Sequence, residues 1–222
     1  MSKAGLSLVI GTKAWSSWSL RPWLLMRQFD LPFEEVNIAL RSPETAADIA
    51  AYSPSGKVPA LIDGALTVWD SLAIAEYLAD CHPGLAIWPR DRVARAMARA
   101  VSAEMHSGFQ ALRQNCPMDF NARGLAPTDR AAIEPCVARI VAIWRMCRTQ
   151  YGGAGGFLFG DFCAADAMYA PVVSRFTTYG IDPAEFGDDG RAAGYMAKVW
   201  ALPGMDEWAA GGRRQQETLD QG

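Results

Sequence analysis

Short runs rich in Val, Ile and Leu crowd the first 69 residues of this 222-residue chain, and beyond them apolar residues recur mainly at helical spacing. Such a distribution builds one N-terminal sheet and an all-helical remainder. The runs are 6–10 (LSLVI), 34–38 (EEVNI), 58–62 (VPALI) and 65–69 (ALTVW), each beside turn residues. A helix over about 18–29, stopped by Asp30-Leu31-Pro32, separates the first two. A weaker one over about 43–52, stopped by Ser53-Pro54-Ser55-Gly56, separates the next two. Asp63-Gly64 turns the last two into a hairpin, and Ser71 caps a helix to about residue 80. The order βαβαββα combines a parallel crossover with an antiparallel hairpin in four strands.

Two prolines and a glycine break the pattern in CHPGLAIWPRD, so 82–90 reads as a linker between a first domain, 1–81, and a helical domain, 91–212. Val93, Met97, Val101, Met105, Phe109 and Leu112 predict one long amphipathic helix over about 91–114. A second is expected over about 128–150, kinked or delayed by Pro135, a third over 164–178, and shorter ones over 191–201 and 204–210. The ending 213–222 has little to bury and reads as a flexible tail.

Half of the residues are apolar, enough for a sizeable core, and the net charge of -3 without a basic cluster argues against a nucleic-acid partner. No run approaches the roughly 20 apolar residues of a membrane helix. MSKAGLSLVI reads as a first strand rather than a secretory signal, and the five scattered cysteines as free thiols of a reducing compartment, so a cytoplasmic location is expected. His82 and His106, the two histidines, have no second ligand at metal spacing, so no metal is expected.

The segment SSWSLRPW, residues 16–23, sits at the foot of a helix. Free N–H groups at a helix start carry partial positive charge, and Ser16, Ser17 and Ser19 add hydroxyls there, while Pro22 suits a first turn. The residues alone fit a small-anion site, but on this segment by itself an N-cap serine beside core tryptophans is the favoured reading.

SSWSLRPWLL (16–25), SPSGKVPALIDG (53–64), WDSLAIAEYL (69–78) and FLFGDFCAADAMYAPVVSRF (157–176) together resemble the glutathione transferases, most closely a serine-type bacterial group near the zeta class. The resemblance covers nearly the whole chain and implies a thioredoxin-like α/β first domain, an all-α C-terminal domain, a homodimer, and glutathione as co-substrate. It places Ser16, with Ser17 as the alternative, on the catalytic serine that favours the glutathione thiolate. It implies a cis Val58-Pro59 peptide that exposes the Val58 backbone, Asp70 and Ser71 at the γ-glutamyl group, Lys57 at the glycyl carboxylate and Trp18 in the same site. Asp70 is shorter than the Glu or Gln of many relatives. Cys163 stands where a capping Ser or Thr is usual, so the helix containing Asp166 is expected to start weakly unless Asp166 binds the preceding loop.

The implied reaction is attack of the thiolate on a small hydrophobic electrophile beside Trp18, with Met105, His106 and Phe109 as candidate walls. An isomerase of zeta type needs an arginine late in the Asp166 helix. The aligned position reads Thr178, with Arg175 almost a turn earlier, which weakens that alternative. A dehalogenase, or a noncatalytic binding module of the same fold, remains open; disulfide exchange is disfavoured because the first loop has no cysteine.

Overall fold

A computed structural model describes residues 5–219. Its first part comprises β1 (Leu6–Gly11), α1 (Ser17–Gln28), β2 (Phe33–Ile38), α2 (Thr45–Ala50), β3 (Ala60–Asp63), β4 (Leu66–Trp69) and α3 (Ser71–Cys81). Helices follow: α4 (Arg92–Ser107), α5 (Gln110–Asn115), α6 (Arg130–Gln150), α7 (Ala164–Thr178), α8 (Arg191–Trp200) and α9 (Pro203–Leu219), with a 3-10 turn at Pro183–Phe186.

The strand order is β2-β1-β3-β4, with β1 parallel to β2 and antiparallel to β3, and β3 antiparallel to β4. This is the thioredoxin-like sheet followed by an all-α region that the resemblance implies. Alternation along β1 divides its side chains between two cores. Leu8 and Ile10 join Trp23, Leu24, Ile74 and Leu78 of α1 and α3 on one face, and Val9 packs with Ile38, Ile49 and Ala60 on the other. The first of these cores runs without interruption into Trp144 of α6 and Tyr169 and Phe176 of α7.

Four expectations are corrected. The helix expected over 91–114 is two: Gly108 ends α4, and Phe109 starts α5 in the left-handed region with φ of 60°. A Cβ on Gly108 would stand 2.8 Å from the Glu104 carbonyl oxygen, so the chain turns where side-chain bulk is missing. The helix at the serine segment begins at Ser17, which puts Pro22 in its second turn rather than its first. Pro135 lies inside α6 rather than at a delayed start of it. The expected flexible tail is helical through Leu219, because Trp208 anchors α9: its indole is fully buried against Trp23 at 5.0 Å, and its Nε1–H donates to the Lys13 carbonyl at 2.8 Å. The part of that tail at 220–222 lies outside the described residues.

Candidate functional site

Three chain segments meet at one cleft of about 470 Å³. The first is the start of α1. The N–H groups of Ser16 and Ser17 bond to the carbonyls of Thr12 (2.9 Å) and Trp15 (3.1 Å), while those of Trp18 and Ser19 have no backbone partner among the described residues. The second is the loop before β3, where Ser55, Lys57, Val58 and Pro59 form a wall and the Val58-Pro59 peptide is cis. The third is the start of α3. Asp70, at φ of 77°, caps that helix: its Oδ1 accepts from the N–H groups of Leu72 (2.8 Å) and Ala73 (3.3 Å). Ser71 behind it is buried, and its Oγ accepts from Arg21 at 3.3 Å.

Trp18, Lys57, Val58, Pro59, Asp70 and Ser71 thus share the cleft, joined by Trp69 and by His106 of α4. The imidazole Nε2 lies 3.0 Å from Asp70 Oδ2, and its ring meets the Trp18 edge at 5.2 Å. Burial lowers the His106 pKa; Asp70 opposes that shift, and Arg21 and Arg113 add to it.

Four expected site residues do not line it. Ser16 and Ser17 lie behind the wall, 6% and 7% exposed. The Ser16 hydroxyl donates to Ser19 Oγ at 2.7 Å, and that oxygen also accepts from the Gly11 N–H. Ser17 Oγ accepts from Arg175 at 3.3 Å. Met105, expected as a substrate wall, is a core residue 1% exposed, because neighbours in an α-helix point roughly 100° apart and His106 takes the outward direction. Phe109, the other expected wall, packs against the core at the break between α4 and α5.

Arginines that sequence reasoning did not assign to the site surround it. The guanidinium groups of Arg21 and Arg113 lie 4.1 and 4.6 Å from the Trp18 ring centre. Arg21 is 2% exposed, its Nε without a hydrogen-bond partner among the described residues. Arg175 is buried, donating to the carbonyls of Cys116 (2.8 Å) and Pro171 (3.2 Å) as well as to Ser17. None of the three forms an ion pair with a carboxylate among the described residues. Burial lowers all three pKa values, that of Arg175 to about 10, and Arg113 lowers Arg21 and Arg175 further. Guanidinium groups are cations at neutral pH by their chemistry, so positive charge stands beside Trp18 at the edge of the cleft. A charged residue inside the apolar run SLRPWLLM was the one signal that could have marked Arg21.

The family model for the glutathione S-transferase N-terminal domain matches residues 15–81. The maleylacetoacetate isomerase of Rattus norvegicus is 31% identical over 170 residues, 75% of this chain and 76% of that protein. The chain belongs to the glutathione S-transferase family. A zeta-class glutathione S-transferase of Euphorbia esula is 26% identical over 83% of this chain and 82% of its own. A probable maleylacetoacetate isomerase of Caenorhabditis elegans is 35% identical over 96 residues, 43% of this chain and less than half, 44%, of that relative. In structure, a glutathione transferase homolog from Burkholderia GL BGR1, solved with bound glutathione, superposes with a TM-score of 0.70 at 23% identity, over 95% of this chain and 99% of that one.

In this glutathione S-transferase chain the weak thiol cap of α7 is made good by Asp166, whose oxygens accept from the N–H groups of Leu158 (3.0 Å) and Cys163 (2.9 Å). Asp166 is fully buried and far from solvent, a brace for the loop before α7.

Proposed function

We propose that this cleft binds glutathione and that the serine segment at the foot of α1 favours its thiolate for attack on a small electrophile. The observation that carries the reading is the convergence of Asp70-Ser71, Lys57 and the Val58-Pro59 edge with Trp18 around one cavity. The Ser71 hydroxyl and N–H suit the γ-glutamyl carboxylate, Asp70 its amine, and Lys57 the glycyl carboxylate. A thiol of ordinary pKa near 8.5 is lowered to roughly 6 or 7 when a hydroxyl, a helix start and nearby cations favour its anion.

Ser16 serves the sulfur if its hydroxyl turns away from Ser19, a single side-chain rotation. Ser17 Oγ accepts from Arg175, which leaves its proton to donate once the buried hydroxyl turns toward the cleft. Calorimetry of glutathione with wild type, Ser16→Ala and Ser17→Ala, together with ultraviolet detection of bound thiolate across pH, tests the reading. A thiolate band near neutral pH that one substitution abolishes supports activation by that serine. Absence of glutathione binding to wild type would leave the noncatalytic module as the better description.

A second reading is favoured by Arg175, which reaches the serine segment although Thr178 occupies the aligned position: the electrophile carries a carboxylate, and the reaction is an isomerisation by reversible thiolate addition. In such a step the glutathione sulfur bonds to one carbon of a conjugated double bond. Rotation about the resulting single bond precedes expulsion of the thiolate. Faster turnover of unsaturated diacids than of neutral aryl halides would support it, and the reverse order would favour conjugation.

The chain is further proposed to act as a homodimer. Leu66 of β4 and Val93 of α4 are 47% and 60% exposed, apolar side chains that a second copy of the chain would cover. Sedimentation equilibrium at the mass of one chain would exclude it.

A further inference from the structure

Asp70 is the only acidic residue among those that line the cleft, so a cationic group held there has one carboxylate to meet. One of its oxygens is already committed, since Oδ1 accepts both N–H groups at the start of α3. Only Oδ2 is left, and His106 holds it. We propose that His106 is a positioning residue for the amino group of the γ-glutamyl moiety: its Nε2–H fixes Asp70 Oδ2 toward the cleft, so that this short aspartate serves as the ammonium acceptor. The inference rests on the glutathione reading above and adds a residue from the helical region to it.

The tautomer follows from the surroundings. His106 Nδ1 is buried with no hydrogen-bond partner among the described residues, so a proton there would be an orphaned donor, whereas a proton on Nε2 meets Asp70. Arg21 on α1 and Arg113 on α5 face the same imidazole and oppose a second proton. The imidazole is therefore a neutral, single-donor contact near neutral pH. One lone-pair direction of Oδ2 is filled by this bond, and the Asp70 side chain remains 40% exposed, which leaves the other direction open to an ammonium. Arg113 in turn holds the end of α4, its guanidinium donating to the Met105 and Gly108 carbonyls, so the imidazole is carried on a secured last turn.

The test compares glutathione with its analogue lacking the γ-glutamyl amine, by calorimetry on wild type, His106→Leu and His106→Gln. Wild type is expected to prefer glutathione. His106→Leu is expected to weaken glutathione roughly tenfold, in the range of one hydrogen bond to a charged group, and to leave the analogue within about twofold. His106→Gln, which keeps a donor, is expected to restore most of the preference. An equal loss for both ligands, an unchanged preference in His106→Leu, or tighter glutathione binding in that variant would overturn the positioning role while leaving the glutathione site standing. Failure of wild type to bind glutathione at all would overturn both, and thermal melts of the variants show that each is folded.

Discussion

Arg175 of α7 places its guanidinium 3.3 Å from Ser17 Oγ, joining residues 158 positions apart in the chain. A buried cation without a carboxylate partner is expensive to maintain unless an anion completes it. The carboxylate of an electrophile would do so.

Replacing Arg175 by Met is therefore expected to raise KM for carboxylate-bearing electrophiles tenfold or more, in line with about 1.5–3 kcal/mol for a hydrogen bond to a charged group. Glutathione affinity should change much less. Steady-state kinetics on paired charged and neutral electrophiles separates the two effects.

Asp166 makes the fold sensitive to pH. Burial raises its carboxyl from 3.8 to about 6, although the bonds from Leu158 and Cys163 pull the other way. The folded chain thus holds this proton more tightly than the unfolded one. The resulting stabilisation is present below about pH 4 and is lost as pH rises through about 6, a change on the order of 3 kcal/mol. Asp166→Asn should flatten that part of a denaturation profile taken from pH 4 to 7. It should also lower stability at every pH, by about 1–3 kcal/mol, because one amide oxygen replaces two acceptors for two buried donors.

Gly108→Ala should destabilise the chain by about 1–3 kcal/mol, the usual range for forced overpacking, since the new methyl meets the Glu104 carbonyl. The same displacement shifts the start of α5 and with it Arg113, so Trp18 fluorescence should change along with the melting temperature.

Truncation after Gly212 removes Gln215, which accepts from the Lys13 N–H at 2.7 Å and donates to Asn37 at 2.7 Å. A loss of about 1–2 kcal/mol is expected, measured by urea denaturation. A tail that contributed nothing would leave the midpoint unchanged.

The sequence by itself determined the elements whose cause is local. β-branched runs beside turn residues marked all four strands, Asp63-Gly64 the hairpin, and Asp70-Ser71 the start of α3, because each follows from side-chain volume or from a backbone group within a few residues. Three of its four motifs also identified six of the residues that line the cleft. What only the tertiary structure decided were relations across the chain. Helical phase and the turn at Gly108 sent Met105 inward and His106 to Asp70, and docking of α7 on α1 brought Arg175 to Ser17. Bonds of Gln215 with Lys13 and Asn37 held the polar ending beyond the expected 204–210 helix as part of α9. A polar ending such as RRQQETL has no strong helical signal of its own; its order comes from partners that the rest of the fold supplies.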